Sequence, residues 1–303
     1  MHSHRPILGA ALKLTSVVLL STMAVGVKYL DGAVPAGEII FMRGVISVIV
    51  LAVIARRIAG WHLLKTMNWR SHALRSLMGT NSMFCWFTAL TLIPLADFTA
   101  ITFTAPMFLM ILAMVFLGER IHHYRWTALV VGLIGVLIMI GPHLSFGGSS
   151  SLGVGLSLAA AISSALAMMF LRSMSSAEHA ITITFYFSLT TMVCAAFTAL
   201  WGWHAPTAEQ WAIIIGASFF GVFGQLLMTY SYHYAEASMI APLDYVNLLM
   251  AVLYGYFLFG EKPGASTWMG APLVIAAGLV ILWREYRSYT SRLAIVPSPT
   301  VAE

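Results

Sequence analysis

Residues 89–121, ALTLIPLADFTAITFTAPMFLMILAMVFLGERI, and residues 231–263, SYHYAEASMIAPLDYVNLLMAVLYGYFLFGEKP, are laid out alike. In each, an apolar helix end runs into a short turn holding a proline and an aspartate. An apolar stretch of about 20 residues follows, the length of one membrane crossing. Each stretch stops at a Gly-Glu-base triplet, Gly118-Glu119-Arg120 in one case and Gly260-Glu261-Lys262 in the other. The separation of Gly118 from Gly260 equals that of Trp126 from Trp268. Identity is otherwise low, so what repeats is a hydropathy outline with a few anchors. The chain reads as two related halves.

Composition sets the solvent. Of 303 residues, 60% are hydrophobic and 9% charged, with a mean hydropathy of +0.87. A soluble domain carries roughly a quarter of its residues charged, so this chain's solvent must be lipid. The net charge of +5 is explained by topology, because the basic residues lie between apolar runs; nucleic acid is excluded as a partner. Cys85 and Cys194 sit in apolar runs without CxxC partners, which argues against a disulfide or metal site. The N-terminal apolar run extends to about residue 30, past the usual length of a signal-peptide core, and is read as an uncleaved first helix.

Ten apolar segments can be marked: 8–30, 39–55, 73–92, 98–117 and 126–140, then 152–171, 181–201, 211–234, 239–259 and 268–283. The uncharged Gly/Ser-rich stretch 143–151 is a natural linker, and the end of the chain, with Pro297 and Pro299, is expected to be disordered. If the N-terminus is cytoplasmic, every Lys and Arg except Lys28, Arg43 and Lys262 falls at or near the inner face, which places both termini inside. An odd number of helices per half then forces the halves to insert in opposite senses. The basic loops of the first half have poorly charged counterparts in the second. The expected fold class is an all-α membrane protein, ten transmembrane helices in an inverted 5+5 repeat, the arrangement of many secondary transporters.

Two five-helix halves, an Arg early in the second helix (EIIFMRG, with Arg43) and the two Gly-Glu-base closures together resemble the drug/metabolite transporter superfamily, and within it the EamA-type members. The resemblance spans about residues 8–286 and implies a first EamA-type repeat at 8–142, a second at 152–286 and a cytoplasmic tail at 287–303. It implies a bundle around a central cavity, small organic solutes as substrates, and residence in a bacterial inner membrane. The stretch APLDYVNLLMAVLYGYFLFGEKP, 241–263, is similar to the subgroup of bacterial riboflavin importers and to S-adenosylmethionine carriers of intracellular bacteria. Uptake of riboflavin is the first expectation. Export of amino acids or other metabolites, S-adenosylmethionine carriage and a non-transporting assembly factor are the alternatives.

The residues themselves agree with a transporter. No GxxxxGK[ST], HExxH or GxSxG is present, and no catalytic cluster gathers at one depth, so neither ATP hydrolysis nor an intramembrane enzyme is expected. No cofactor and no metal are called for; His122-His123 reads as a solvated loop pair. The partners expected are the solute and the bilayer, and a homodimer is allowed.

Polar groups inside an apolar bundle are costly and need a reason. Ser218, Gln225, Thr229, Tyr232 and Glu236 share one helical face; Asp244, Asn247, Ala251 and Tyr254 share another. Further stripes are Asn81, Cys85 and Thr88, then Thr99, Thr102 and Pro106, then Thr15, Thr22, Gly26 and Tyr29. Such stripes either glue helices together or line a cavity. The expected solute contacts are Gln225, Tyr232, Asp244 and Asn247, with Arg43 and Asn81 opposite them. Asp244 is also the expected proton-coupling site, because burial raises a carboxyl's pKa. Arg43 either snorkels outward, pairs with Asp97 or Glu38, or holds an anionic group. Glu38 and Lys28 read as an exposed outer pair. Pro106 and Pro242 mark kinks or broken helices, where transporters often bind ligands. Trp86, Phe103, Tyr232 and Tyr254 lie deep enough to stack on a flat ring.

Overall fold

The structure, a computed structural model, describes residues 5–30, 33–92, 101–141, 151–260 and 264–294. The described residues are mostly helical, with no strand among them. In chain order the main helices are α1 (Pro6–Tyr29), α2 (Ala36–Ile58), α3 (Trp69–Leu92), α4 (Ala105–Phe116) and α5 (His123–Ile140). After the linker come α6 (Ser151–Met174), α7 (Ala180–Ala196), α8 (Ala208–Tyr234), α9 (Val246–Phe259) and α10 (Ala265–Ala294). A short helix Ala237–Ile240 and a 3₁₀ turn Ala241–Tyr245 lead into α9. Residues 93–100, which include Asp97 and Thr99, lie outside the described residues, as do Glu261, Lys262 and the linker.

Among the described residues six helices are long and apolar enough to cross a membrane: Pro6–Val27, Ala36–Ile58, Ser151–Met174, Ala180–Leu200, Ala208–Tyr234 and Ala237–Leu258. The remaining helices of the expected ten fall short of that measure for local reasons. α3 carries Arg70, His72, Arg75 and Asn81, which dilute its hydropathy. The apolar helices Ala105–Phe116, His123–Ile138 and Ala265–Val280 are shorter. α10 also continues past the expected start of the tail at 287, remaining helical to Ala294.

The burial pattern is inverted relative to a soluble protein. Ile49, Val53, Phe116 and Phe257 point outward and are more than half exposed, while Thr184, Ser157, Thr229 and Ser231 are fully buried. Lipid accepts the former, and helix backbones or neighbouring hydroxyls satisfy the latter. Ser157 donates to Gly153 O, and Thr184 donates to Ala180 O and to the Thr229 hydroxyl.

The principal packing pairs are α1 on α8, α3 on α6, α5 on α10 and α2 on α7. Exchanging α1–α5 for α6–α10 maps this set onto itself. Lesser pairs behave the same way, α2–α8 with α3–α7 and α4–α6 with α1–α9. Small residues allow the close approach. A Cβ on Gly9 would lie 2.5 Å from Ala235 Cβ, and one on Gly135 would lie 2.8 Å from Gly270 O. In lipid, where apolar burial drives nothing, such backbone proximity is what packing contributes.

One end of the bundle is tied together by polar contacts. There Arg5 N donates to Tyr234 O, Thr182 Oγ1 donates to Leu63 O, and Tyr186 donates its hydroxyl to Leu64 O. α1, α3 and α5 begin at this end, and α2 and α4 finish there; α6 to α10 run in the opposite senses. The glycines of the repeated triplet have a backbone reason. Gly118 follows α4 at φ +65° and Gly260 follows α9 at φ +67°, the left-handed conformation in which a helix commonly stops and which a Cβ disfavours.

Candidate functional site

A cavity of about 590 Å³ lies between α1, α3, α4, α6 and the start of α9. That size falls within the range of small-molecule sites, about 300–1,000 Å³. Its position follows from two prolines. Pro106 occupies the first turn of α4 and Pro242 the 3₁₀ turn ahead of α9. Neither sits in a helix interior, where its missing N–H would cost most; both mark a restart. The restart at Pro242 turns Asp244 and Asn247 onto the cavity wall.

The polar feature of the cavity is an ion pair. Lys13 Nζ lies 2.7 Å from Asp244 Oδ1; the lysine side chain is 2% exposed and the aspartate 39%. Both residues line the cavity, and the carboxylate is the more open of the two. Beside them Ser21 Oγ donates to Asn247 Oδ1 at 2.6 Å. Trp86, Phe103, Met168 and Met228 supply apolar and aromatic wall, and Thr102 and Ser164 supply hydroxyls. Lys13 Nζ also sits 5.7 Å from the centre of the Tyr232 ring. Tyr232 is fully buried and its hydroxyl has no hydrogen-bond partner.

Between this pair and the polar end of the bundle stands a second network. Glu119 accepts from Ala237 N and Ser238 N, both at 3.0 Å, and from Ser238 Oγ at 2.6 Å. Arg172 Nε approaches the same carboxylate at 3.6 Å, and its Nη1 donates to Tyr232 O. Arg125 donates to Glu236 and to Ser238 Oγ. The network ties Glu119 and Arg125 to Arg172 and to residues 236–238.

Of the six residues expected to touch solute, the cavity wall gathers Asp244 and Asn247. Tyr232 stands behind Lys13. Gln225 is buried on α8 with its Nε2 lacking a partner. Asn81 Nδ2 donates to Ser163 Oγ at 2.9 Å, joining α3 to α6 as glue. Arg43 folds over Gly221 of α8, where a Cβ would lie 3.2 Å from its Nε. Its expected partner Glu38 is engaged elsewhere, accepting from His204 N. Glu38 is also 2% exposed, which corrects the expectation of an exposed pair: the first turn of α2 is covered by the 203–204 segment, with Trp203 packed on Phe41.

Lys13 was assigned to topology by the sequence and lies on the cavity wall as half of its ion pair. The signal was present, since a lysine well inside an apolar helix needs a partner. The Glu119–Ser238 and Arg125–Glu236 connections carried no local signal.

Comparison with known proteins agrees with this geometry. The sequence model of the EamA-like transporter family matches residues 7–141 and again 151–283. The chain is 30% identical to the S-adenosylmethionine uptake transporter of Rickettsia prowazekii, over 92% of this chain and 94% of that one. It is 27% identical to the pseudopaline exporter of Pseudomonas aeruginosa, over 90% and 95%. It is 25% identical to the riboflavin transporter of Vibrio cholerae, over 95% and 98%.

Proposed function

The chain belongs to the EamA-like transporter family, and on that premise we propose that it takes up a zwitterionic organic solute with an α-amino-carboxylate head, S-adenosylmethionine being the first candidate. The observation that carries this is the Lys13–Asp244 pair opening onto the cavity. A zwitterionic head can replace both partners at once, its carboxylate taking the Lys13 ammonium and its ammonium taking the Asp244 carboxylate. The remainder of the solute then lies against Trp86 and Phe103, where a cationic sulfonium gains from aromatic faces and an adenine ring stacks.

Riboflavin, the first expectation from sequence, is the second reading. Relatives bearing that name and the flat Trp86 and Phe103 wall favour it. Against it stands charge: riboflavin is neutral at its ring. Entering between Lys13 and Asp244 it would strand a buried ammonium, a loss of about 3–5 kcal/mol. Export remains the alternative direction, and the pseudopaline relative bears it by name.

The cycle proposed is alternating access of two inverted five-helix halves, both termini cytoplasmic. The mutual packing pairs and the opposed helix senses support it, and the Glu119 network closes the cytoplasmic side in the conformation described. Labelled S-adenosylmethionine and labelled riboflavin, offered separately to bacteria producing the protein in the inner membrane, test the reading. Saturable uptake of the first is expected. Riboflavin uptake without S-adenosylmethionine uptake would overturn it.

A further inference from the structure

Arg75 is the largest side chain that α3 buries, at 1% exposure, and among the described residues its Nε and Nη1 have no hydrogen-bond acceptor. Among the described residues no carboxylate stands within ion-pair distance of it. What it has is an aromatic face: its guanidinium carbon lies 3.9 Å from the centre of the Phe187 ring on α7. Gly79, one turn along α3, makes room for the head to fold back, since a Cβ there would stand 3.2 Å from Arg75 Nη1. Across from it on α8 is Tyr232, close enough to interact electrostatically with the guanidinium. The Tyr232 hydroxyl is buried and also without a partner.

These orphans share one character. The guanidinium N–H groups are donors only, and the tyrosine hydroxyl, which can also accept, still has a proton to give. An arginine keeps its charge in a protein, and leaving that charge buried without a counter-charge costs far more than one aromatic face returns. Glue between helices does not explain the arrangement, because glue pairs donors with acceptors, as Asn81 does with Ser163. The missing element is negative and small.

We propose that Arg75 and Tyr232 form a second, anion-binding subsite, one layer beyond the Lys13–Asp244 pair, that takes a small monovalent anion between α3 and α8. Tyr232 is the wall the two sites share, with its ring toward Lys13 at 5.7 Å and its hydroxyl available to the anion. Chloride from solution and the carboxylate of a solute leaving Lys13 offer the same chemistry. The carboxylate source rests on the zwitterion reading above; the chloride source does not.

The test is thermal unfolding of the purified full-length protein in detergent, at constant ionic strength, with chloride or acetate replacing bulky isethionate. A saturable rise in midpoint of roughly 2–4 °C is expected. A rise with chloride assigns the free anion; a rise with acetate alone assigns the carboxylate. The response should vanish in Arg75→Gln and weaken in Tyr232→Phe, and Arg75→Lys, which keeps the charge, serves if the glutamine variant does not fold. A wild-type midpoint indifferent to both anions, or an equal response in Arg75→Gln, overturns the subsite. Lys13→Met separates the two proposals, because it should lose solute transport yet keep the anion response. A flat anion response with intact S-adenosylmethionine uptake would sink only the subsite.

Discussion

Two clusters of charge lie close together in this bundle and behave differently. Lys13 and Asp244 make one contact at 2.7 Å, with the carboxylate 39% exposed to the cavity. Glu119 receives three hydrogen bonds from Ala237 and Ser238 and has Arg172 at its side, its own side chain 7% exposed. Both sets join parts of the chain far apart in sequence. The difference is saturation. A carboxylate whose acceptor positions are filled by backbone and hydroxyl donors can only lock, because any ligand must first break the lock. A carboxylate with one partner and an open side can exchange that partner. The same residue types thus give a saturated cluster in one place and, in the other, a pair with an open side, which is the basis for proposing a latch and a receptor.

The comparison can be broken most sharply at Lys13. Lys13→Met should reduce solute uptake on the order of 100-fold, the effect of removing one partner of a buried charge pair, with the protein still present in the membrane fraction. Uptake within a factor of a few of wild type would remove the pair from the mechanism.

The latch should answer in stability. Glu119→Gln keeps the shape but turns one acceptor into a donor facing the Ser238 N–H. The expected loss is about 2 kcal/mol, read as a lower unfolding midpoint. The latched end should also become more reactive to a thiol reagent at a cysteine placed at Ser238. A transition unchanged by the substitution would mean that the contacts do not hold that end closed.

Asp244→Asn is the subtler edit, since it preserves size and leaves Lys13 an amide oxygen to donate to, while removing the charge offered to an ammonium. Roughly a 10-fold rise in KM is expected, about 1.4 kcal/mol. Any dependence of transport on external pH should disappear with it; persistence of that dependence would move proton coupling elsewhere.

Asn81→Ala is the control at the small end. Its bond to Ser163 is one interhelical contact of about 0.6 kcal/mol, so uptake should change by no more than about threefold. A larger loss would restore Asn81 to the solute site.

Much of the site could be read before its geometry was known. Asp244 and Asn247 were identifiable because an acid and an amide inside an apolar stretch, just after a proline, are expensive unless used. Gln225 and Arg43 carried the same signal, yet neither is on the cavity wall: Gln225 is buried on α8, and Arg43 lies over Gly221 of that helix. Periodicity says which residues share a face of one helix. It does not say what that face meets. Lys13 was misassigned for the same reason, since its position near the start of α1 fits a topology marker equally well until Asp244 is seen across from it.

The sequence by itself determined the solvent, the helical class, the duplication and the family. Composition, the length of apolar runs and the recurring Gly-Glu-base stop are properties of the chain read locally. Tertiary structure alone decided which polar residues meet: Lys13 with Asp244, Glu119 with Ser238, and Arg75 with no carboxylate among the described residues. In lipid, packing gains little from apolar contact, so the pairing of helices rests on small residues and on a few polar bonds made across long stretches of chain. Those bonds are set by the mutual fit of helices, which no local pattern encodes.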